Sequence, residues 1–228
     1  MATGSQDVSA LTLIMSSAVI SAVVNVGWNA YAKWGERKKE AAKEAQKVGH
    51  VYLALVLQLE GFARQCNERH YDIGIGIERY RTEHDSSVFD GLSSILFEFS
   101  PEPDWTALPI PFVAKLKSLT NRFEQCNSWI ETQFQLWAGL DEAYELEEER
   151  LAYYGLNACK LASEIRIEIE AGDGELGYLI THFQSVIDTR RNSYVTNPGM
   201  HTLIPELRAH FESELPSSDR HANSKPSN

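Results

Sequence analysis

"FVAKLKSLTNRFEQCNSWIETQFQLW", residues 112–137, decides the fold. Phe112, Leu116, Leu119, Phe123, Cys126, Ile130, Phe134 and Trp137 recur within it at spacings of three and four, the period that gathers side chains onto one face of an α-helix. Pro111 stands just ahead of it, where the N–H that proline lacks would have no helical partner anyway. The stretch is an amphipathic helix, and its apolar face requires other elements to cover it.

Candidates lie on both sides. Downstream, a long helix is expected to open on Asp141, Glu142, Glu145, Glu147, Glu148 and Glu149, charges that suit the positive end of a helix dipole. Such an acidic run reads as a solvated helix start, with attraction of a basic partner or of cations as the alternative. The seam then continues through Leu151, Gly155, Ala158, Ala162, Ile165 and Ile169, whose small central residues predict close approach by a neighbouring backbone. "AGDG" at 171–174 ends that helix, and further helices are expected at 175–190 and from Leu203 to Leu215. Upstream, Val48, Tyr52, Leu55, Leu59, Phe62 and Cys66 form another helical seam. Residues 71–108 read as loop-rich, because "IGIGIE" alternates isoleucine with glycine and "FSPEPDWTALPIP" holds four prolines; a short helix is expected near Phe89 to Phe97. The fold class is all-α, an antiparallel helical bundle with one irregular loop.

The opening of the chain is of another kind. From Val8 to Ala32 about 25 residues pass without a charge, and about 20 apolar residues in a helix cross a hydrocarbon core. Lys33, Arg37, Lys38, Lys39, Lys43 and Lys47 follow, while the seven residues before the run hold no Lys or Arg. The bias of basic residues toward the cytoplasmic side places the N-terminus outside and the remainder inside. Trp28, Tyr31 and Trp34 would then lie at the cytoplasmic interface. The expected organisation is an extracytoplasmic segment at 1–7, a transmembrane helix at 8–32, a basic juxtamembrane helix at 33–47, the bundle at 48–215 and a tail at 216–228 with nothing apolar to bury. On the span, Ser17, Ala18, Ser21, Ala22 and Asn25 make a small, hydrogen-bonding face of the kind transmembrane helices use to associate. The serines bonding back to their own carbonyls is the other reading. Lys33, Arg37, Lys38 and Lys39 are candidate contacts for anionic headgroups, although interleaved glutamates weaken that attraction.

Composition excludes some partners and chemistries. A net charge of -11 argues against nucleic acid, whose phosphates require a basic surface. Three cysteines, Cys66, Cys126 and Cys159, make no disulfide framework and read as core residues. There is no HExxH, P-loop, paired CxxC or GxSxG, and no inward Glu-x-x-His pair for a di-metal site, so no catalytic residue, metal ligand or cofactor is assigned. Glu60, alone in an apolar helix with Arg64 one turn on, is a candidate buried acid. His70 with Asp72, and Glu83, His84 and Asp85, are candidates for holding a proton or metal, against the plainer reading of surface polar groups.

"LALVLQLEGFARQCNE" (53–68), "FSPEPDWTAL" (99–108) and "RLAYYGLNACKLASEIR" (150–166) together resemble uncharacterised bacterial proteins that join one N-terminal span to a helical domain. That resemblance implies a bacterial inner membrane and an anchored bundle, and carries no activity, cofactor or site residue. It does not extend past Gly172.

The expected function is that of a membrane-anchored cytoplasmic scaffold that binds another membrane protein or a second copy of itself, without catalysis. A membrane-tethered enzyme or small-ligand sensor built on Glu60, His70 and the 71–108 loop is the alternative. A soluble protein whose first helix is only a core element is a third.

Overall fold

The computed structural model describes the backbone of residues 7–92, 94–136, 138–197 and 202–214, with side chains at Lys33 and from residue 36 onward within those ranges. Among the described residues every regular element is helical. Five α-helices follow in order: α1 (Asp7–Glu83), α2 (Ile110–Leu136), α3 (Leu140–Glu168), α4 (Gly177–Thr196) and α5 (Pro205–Glu214). Two short 3-10 turns, Ser86–Phe89 and Trp105–Ala107, interrupt the connection from α1 to α2.

The chain divides into two compact units, Met1–Gly49 and His50–Asn228. In the first, every described side chain from residue 36 to residue 47 is exposed, as expected of a charged, solvated helix. Among the described residues no helix is long and apolar enough to cross a membrane. The side chains of the uncharged stretch 8–32 lie outside those residues, and so do the association face Ser17, Ala18, Ser21, Ala22 and Asn25 and the tail from residue 216.

In the second unit α3 is the central element. Its contacts with α1 run in opposite order along the two helices, from Arg81 beside Asp141 to Glu60 beside Arg166. The same reversal holds against α2, where Lys115 meets Glu164 and Arg150 lies on Phe123, and against α4, where Arg190 meets Glu149 and Phe183 lies beside Gly155. Residues 50–83 of α1, α2 and α4 are therefore all antiparallel to α3 and surround it. Its buried residues accordingly exceed the single expected seam and include Ala152, Tyr154, Leu156, Cys159 and Leu161. A helix apolar around most of its circumference is a core helix, and this one forms the core of the bundle. Its start is held by Glu142, whose carboxylate accepts the Gly139 N–H at 2.7 Å.

Three expectations change. Residues 71–83 are helical, so the glycine-alternating stretch belongs to α1. Ile73 and Ile77, four apart, are buried on one face, and a side chain at Gly76 would meet the Phe89 ring at 2.8 Å. Each helical glycine costs about 1 kcal/mol in propensity, and this packing outweighs it. The short helix expected at Phe89–Phe97 is a single 3-10 turn followed by extended chain. The close neighbour of Gly155 is an aromatic side chain, Phe183, and not a backbone.

All three cysteines are free and buried. Burial raises the Cys66 and Cys126 thiols well above their usual range and pushes Cys159 up to about 12, which keeps them as unreactive core groups.

Candidate functional site

Glu60 is 2% exposed, and its carboxylate is occupied on both sides. Oε1 accepts from Arg166 Nε at 2.6 Å, and Oε2 lies 3.4 Å from the Arg64 guanidinium. A Cβ at Gly174 would fall 2.5 Å from both Glu60 Oε1 and Arg166 Nε, so the turn after α3 closes directly over this pair. Two guanidiniums on one carboxylate make a tie between α1 and α3. His70 stands elsewhere, edge-on to His182 of α4 with ring centroids 5.1 Å apart. Burial first, then His182 and Arg190, hold its imidazole down to about 4, so it is neutral near pH 7. Glu60 and His70 thus face different partners and do not converge. Asp72 and His84 are exposed, Glu83 pairs with Arg79 at 3.6 Å, and Asp85 caps a turn by accepting the Ser87 N–H at 2.9 Å. Among the described residues no group of three His, Cys, Asp or Glu is placed to hold a metal.

The acidic run on α3 is not a solvated helix start. Arg190 of α4 reaches Glu145 at 3.8 Å, Glu148 at 3.6 Å and Glu149 at 3.4 Å, while Arg81 of α1 bonds Asp141 and Glu145. Glu149 is 2% exposed and accepts the backbone N–H of Ile204 at 3.1 Å, just ahead of α5. Burial raises Glu148 and Glu149 to about 7 each, against the opposing pull of Arg190. The carboxylates hold α1, α4 and α5 onto α3.

The next residue, Arg150, is 1% exposed, with its guanidinium carbon over the Phe123 ring, 3.8 Å from its centroid. It donates twice to Glu147 at 2.6 Å and once to the Phe123 carbonyl at 3.2 Å. A cavity of about 250 Å³ opens beside this pair, walled by Ile73, Ile130, Phe134 and Tyr144. The seam read from the sequence began at Leu151 and missed Arg150; its spacing of four from the buried Leu146 and Tyr154 is the signal that could have found it.

Another opening belongs to the irregular connection. A cleft of about 630 Å³ separates α1, between Gln58 and Asp72, from the extended chain at 94–100. Phe97 closes its floor by stacking on Phe62, with centroids 3.7 Å apart and planes at 7°. Gln58 Nε2 donates to the Pro101 carbonyl at 3.2 Å and pins the far end. Leu96, 62% exposed, stands at the rim.

These features define a helical-bundle protein whose buried charges are paired across helices and which has a cleft along the irregular connection. Comparison with protein-family models, curated proteins and solved structures finds no match.

Proposed function

We propose that this is a single-pass membrane protein whose cytoplasmic helical bundle binds other proteins. The observation that carries the reading is the uncharged stretch from Val8 to Ala32 set directly against the basic group Lys33, Arg37, Lys38 and Lys39. All four of these cations are exposed, as contact with anionic headgroups requires. The small face Ser17, Ala18, Ser21, Ala22 and Asn25 would pair the span with a second copy or with another membrane helix. A bacterial inner membrane is the compartment implied by the resemblance.

Binding of proteins is supported by apolar side chains left outward on the bundle. Leu57 is 55% exposed and Tyr71 68%, and Leu96, 62% exposed, lines the cleft between α1 and the chain at 94–100. An enzyme or sensor using Glu60 and His70 is less well supported, because Glu60 is saturated by two arginines and the two residues do not share a site.

Fractionation of the full-length chain beside one beginning at Gly35 tests the anchor. The full-length protein is expected to pellet with membranes, resist alkaline extraction and be cut by protease from the cytoplasmic side only, with the shorter chain soluble and helical. A soluble full-length protein would sink the proposal.

A further inference from the structure

From Ser94 through Phe99 the chain runs without helix, turn or bend. Among the described residues its backbone N–H and C=O groups make no hydrogen bond. Main-chain polar groups stay unpaired only where water reaches them, so this segment presents an open edge. Its side chains alternate as in a strand: Phe97 is buried with Ile95 and Phe99 half-buried, while Leu96 and Glu98 point outward. One side is fastened by the Phe62–Phe97 stack, with Phe97 also edge-on to Phe123 at 6.0 Å. Residues 94–98 line a cleft of about 630 Å³. A strand held by its side chains and unpaired along its main chain is a template for strand addition.

The charge around the cleft selects the occupant. Glu68, Asp72 and Glu98 line it and are exposed, and Arg69 is the one basic residue among its described lining. A second copy pairing through its own 94–100 would bring another Glu98 onto this acidic rim, which like-charge repulsion opposes. A segment carrying alternate lysines or arginines would meet three carboxylates. We infer that the 94–99 edge binds an extended, basic peptide segment of a partner protein by strand addition: main chain pairs with main chain, and cations face Glu68, Asp72 and Glu98. This rests on the interaction reading above and gives that partner a chemistry.

The test uses full-length protein in detergent micelles and the capped heptapeptide Lys-Val-Lys-Val-Lys-Val-Lys. Binding is read by fluorescence anisotropy and by amide hydrogen exchange resolved by NMR. Exchange is expected to slow at alternate amides between residues 94 and 99, since every second N–H of an edge points at its partner. The same peptide N-methylated at alternate positions should fail to protect them, and so should Glu-Val-Glu-Val-Glu-Val-Glu. The doubly exposed variant Asp72→Lys/Glu98→Lys should lose at least tenfold in affinity for the lysine peptide and gain affinity for the glutamate peptide. Absence of protection at 94–99 with millimolar lysine peptide, equal binding of the N-methylated peptide, or unchanged preference in the variant overturns the inference. Protection that rises with protein concentration alone identifies a second copy as the occupant and also overturns it. Peptide binding by a protein that fails to pellet with membranes sinks the anchor alone; pelleting without binding sinks this site alone.

Discussion

Gly155 lies where α1, α3 and α4 converge, with room for hydrogen and nothing larger. A Cβ there would stand 2.6 Å from Phe183 Cζ and 3.2 Å from Cys66 Cβ. Gly155→Ala would gain up to about 1 kcal/mol in helix propensity. Phe183 is fully buried and has nowhere to retreat, so overpacking of about 1–3 kcal/mol prevails. Urea unfolding should show a net loss of about 1 kcal/mol, recovered in part by Phe183→Leu in the same chain; an unchanged midpoint for the single variant would refute the packing. Arg150 has the larger effect, because its charge is out of water and, among the described residues, is paired with Glu147 alone. Arg150→Ala strands that carboxylate and the Phe123 carbonyl, and should cost about 3–5 kcal/mol. Arg150→Met/Glu147→Met removes both charges and should recover most of the loss. If the double variant is as unstable as the single one, the pair contributes shape and not charge balance.

At the scale of an element, α5 is held by polar contacts and an apolar face. Glu149 accepts the Ile204 N–H; Leu203 and Ile204 just ahead of α5 and Leu207 and Phe211 on it are buried. Tyr154 adds a bond to Glu206 at 2.7 Å. Glu149→Leu leaves the buried Ile204 N–H without an acceptor, a loss of about 1–3 kcal/mol, whereas Glu149→Gln retains a carbonyl that can accept it. Hydrogen exchange of α5 amides should therefore quicken in the leucine variant and much less in the glutamine variant. Equal quickening in both would mean that charge, and not the hydrogen bond, holds α5 in place.

Across the whole molecule, one buried and two half-buried groups couple stability to pH with opposite signs. Glu148 and Glu149, raised to about 7 from 4.5, keep protons in the native state that the unfolded chain has already released. Their contribution is full below pH 4.5 and is lost as pH rises through 7. His70, lowered to about 4 from 6.5, refuses a proton that the unfolded chain accepts, so its contribution is full above 6.5 and is lost as pH falls toward 4. Over the shared window the terms oppose one another. Denaturant unfolding from pH 4 to 8 should show His70→Phe gaining stability more steeply on acidification than the parent chain. Glu148→Gln/Glu149→Gln should lose it more steeply. Identical profiles for all three proteins would remove these groups from the linkage.

The amphipathic helices at α2 and α3 were legible in the sequence because a periodicity of 3.6 residues needs only local spacing to be read. The end of α3 at "AGDG" was legible for the same local reason: Gly172 takes φ +72°, a conformation that glycine adopts without strain. Glu60 was recognisable as a carboxylate in an apolar helix, but its main partner is Arg166, 106 positions away, and no local pattern identifies a partner at that distance. The sequence by itself determined the helical class, the principal seams, the buried cysteines and the acidic balance, all of which depend on near neighbours and composition. Tertiary structure alone decided that glycines 74 and 76 continue a helix, that the acidic run is paired with Arg81 and Arg190 of other helices, and that 94–99 lacks main-chain hydrogen bonds among the described residues. Each of those outcomes depends on which distant side chain supplies the compensating contact, and chain topology sets that pairing.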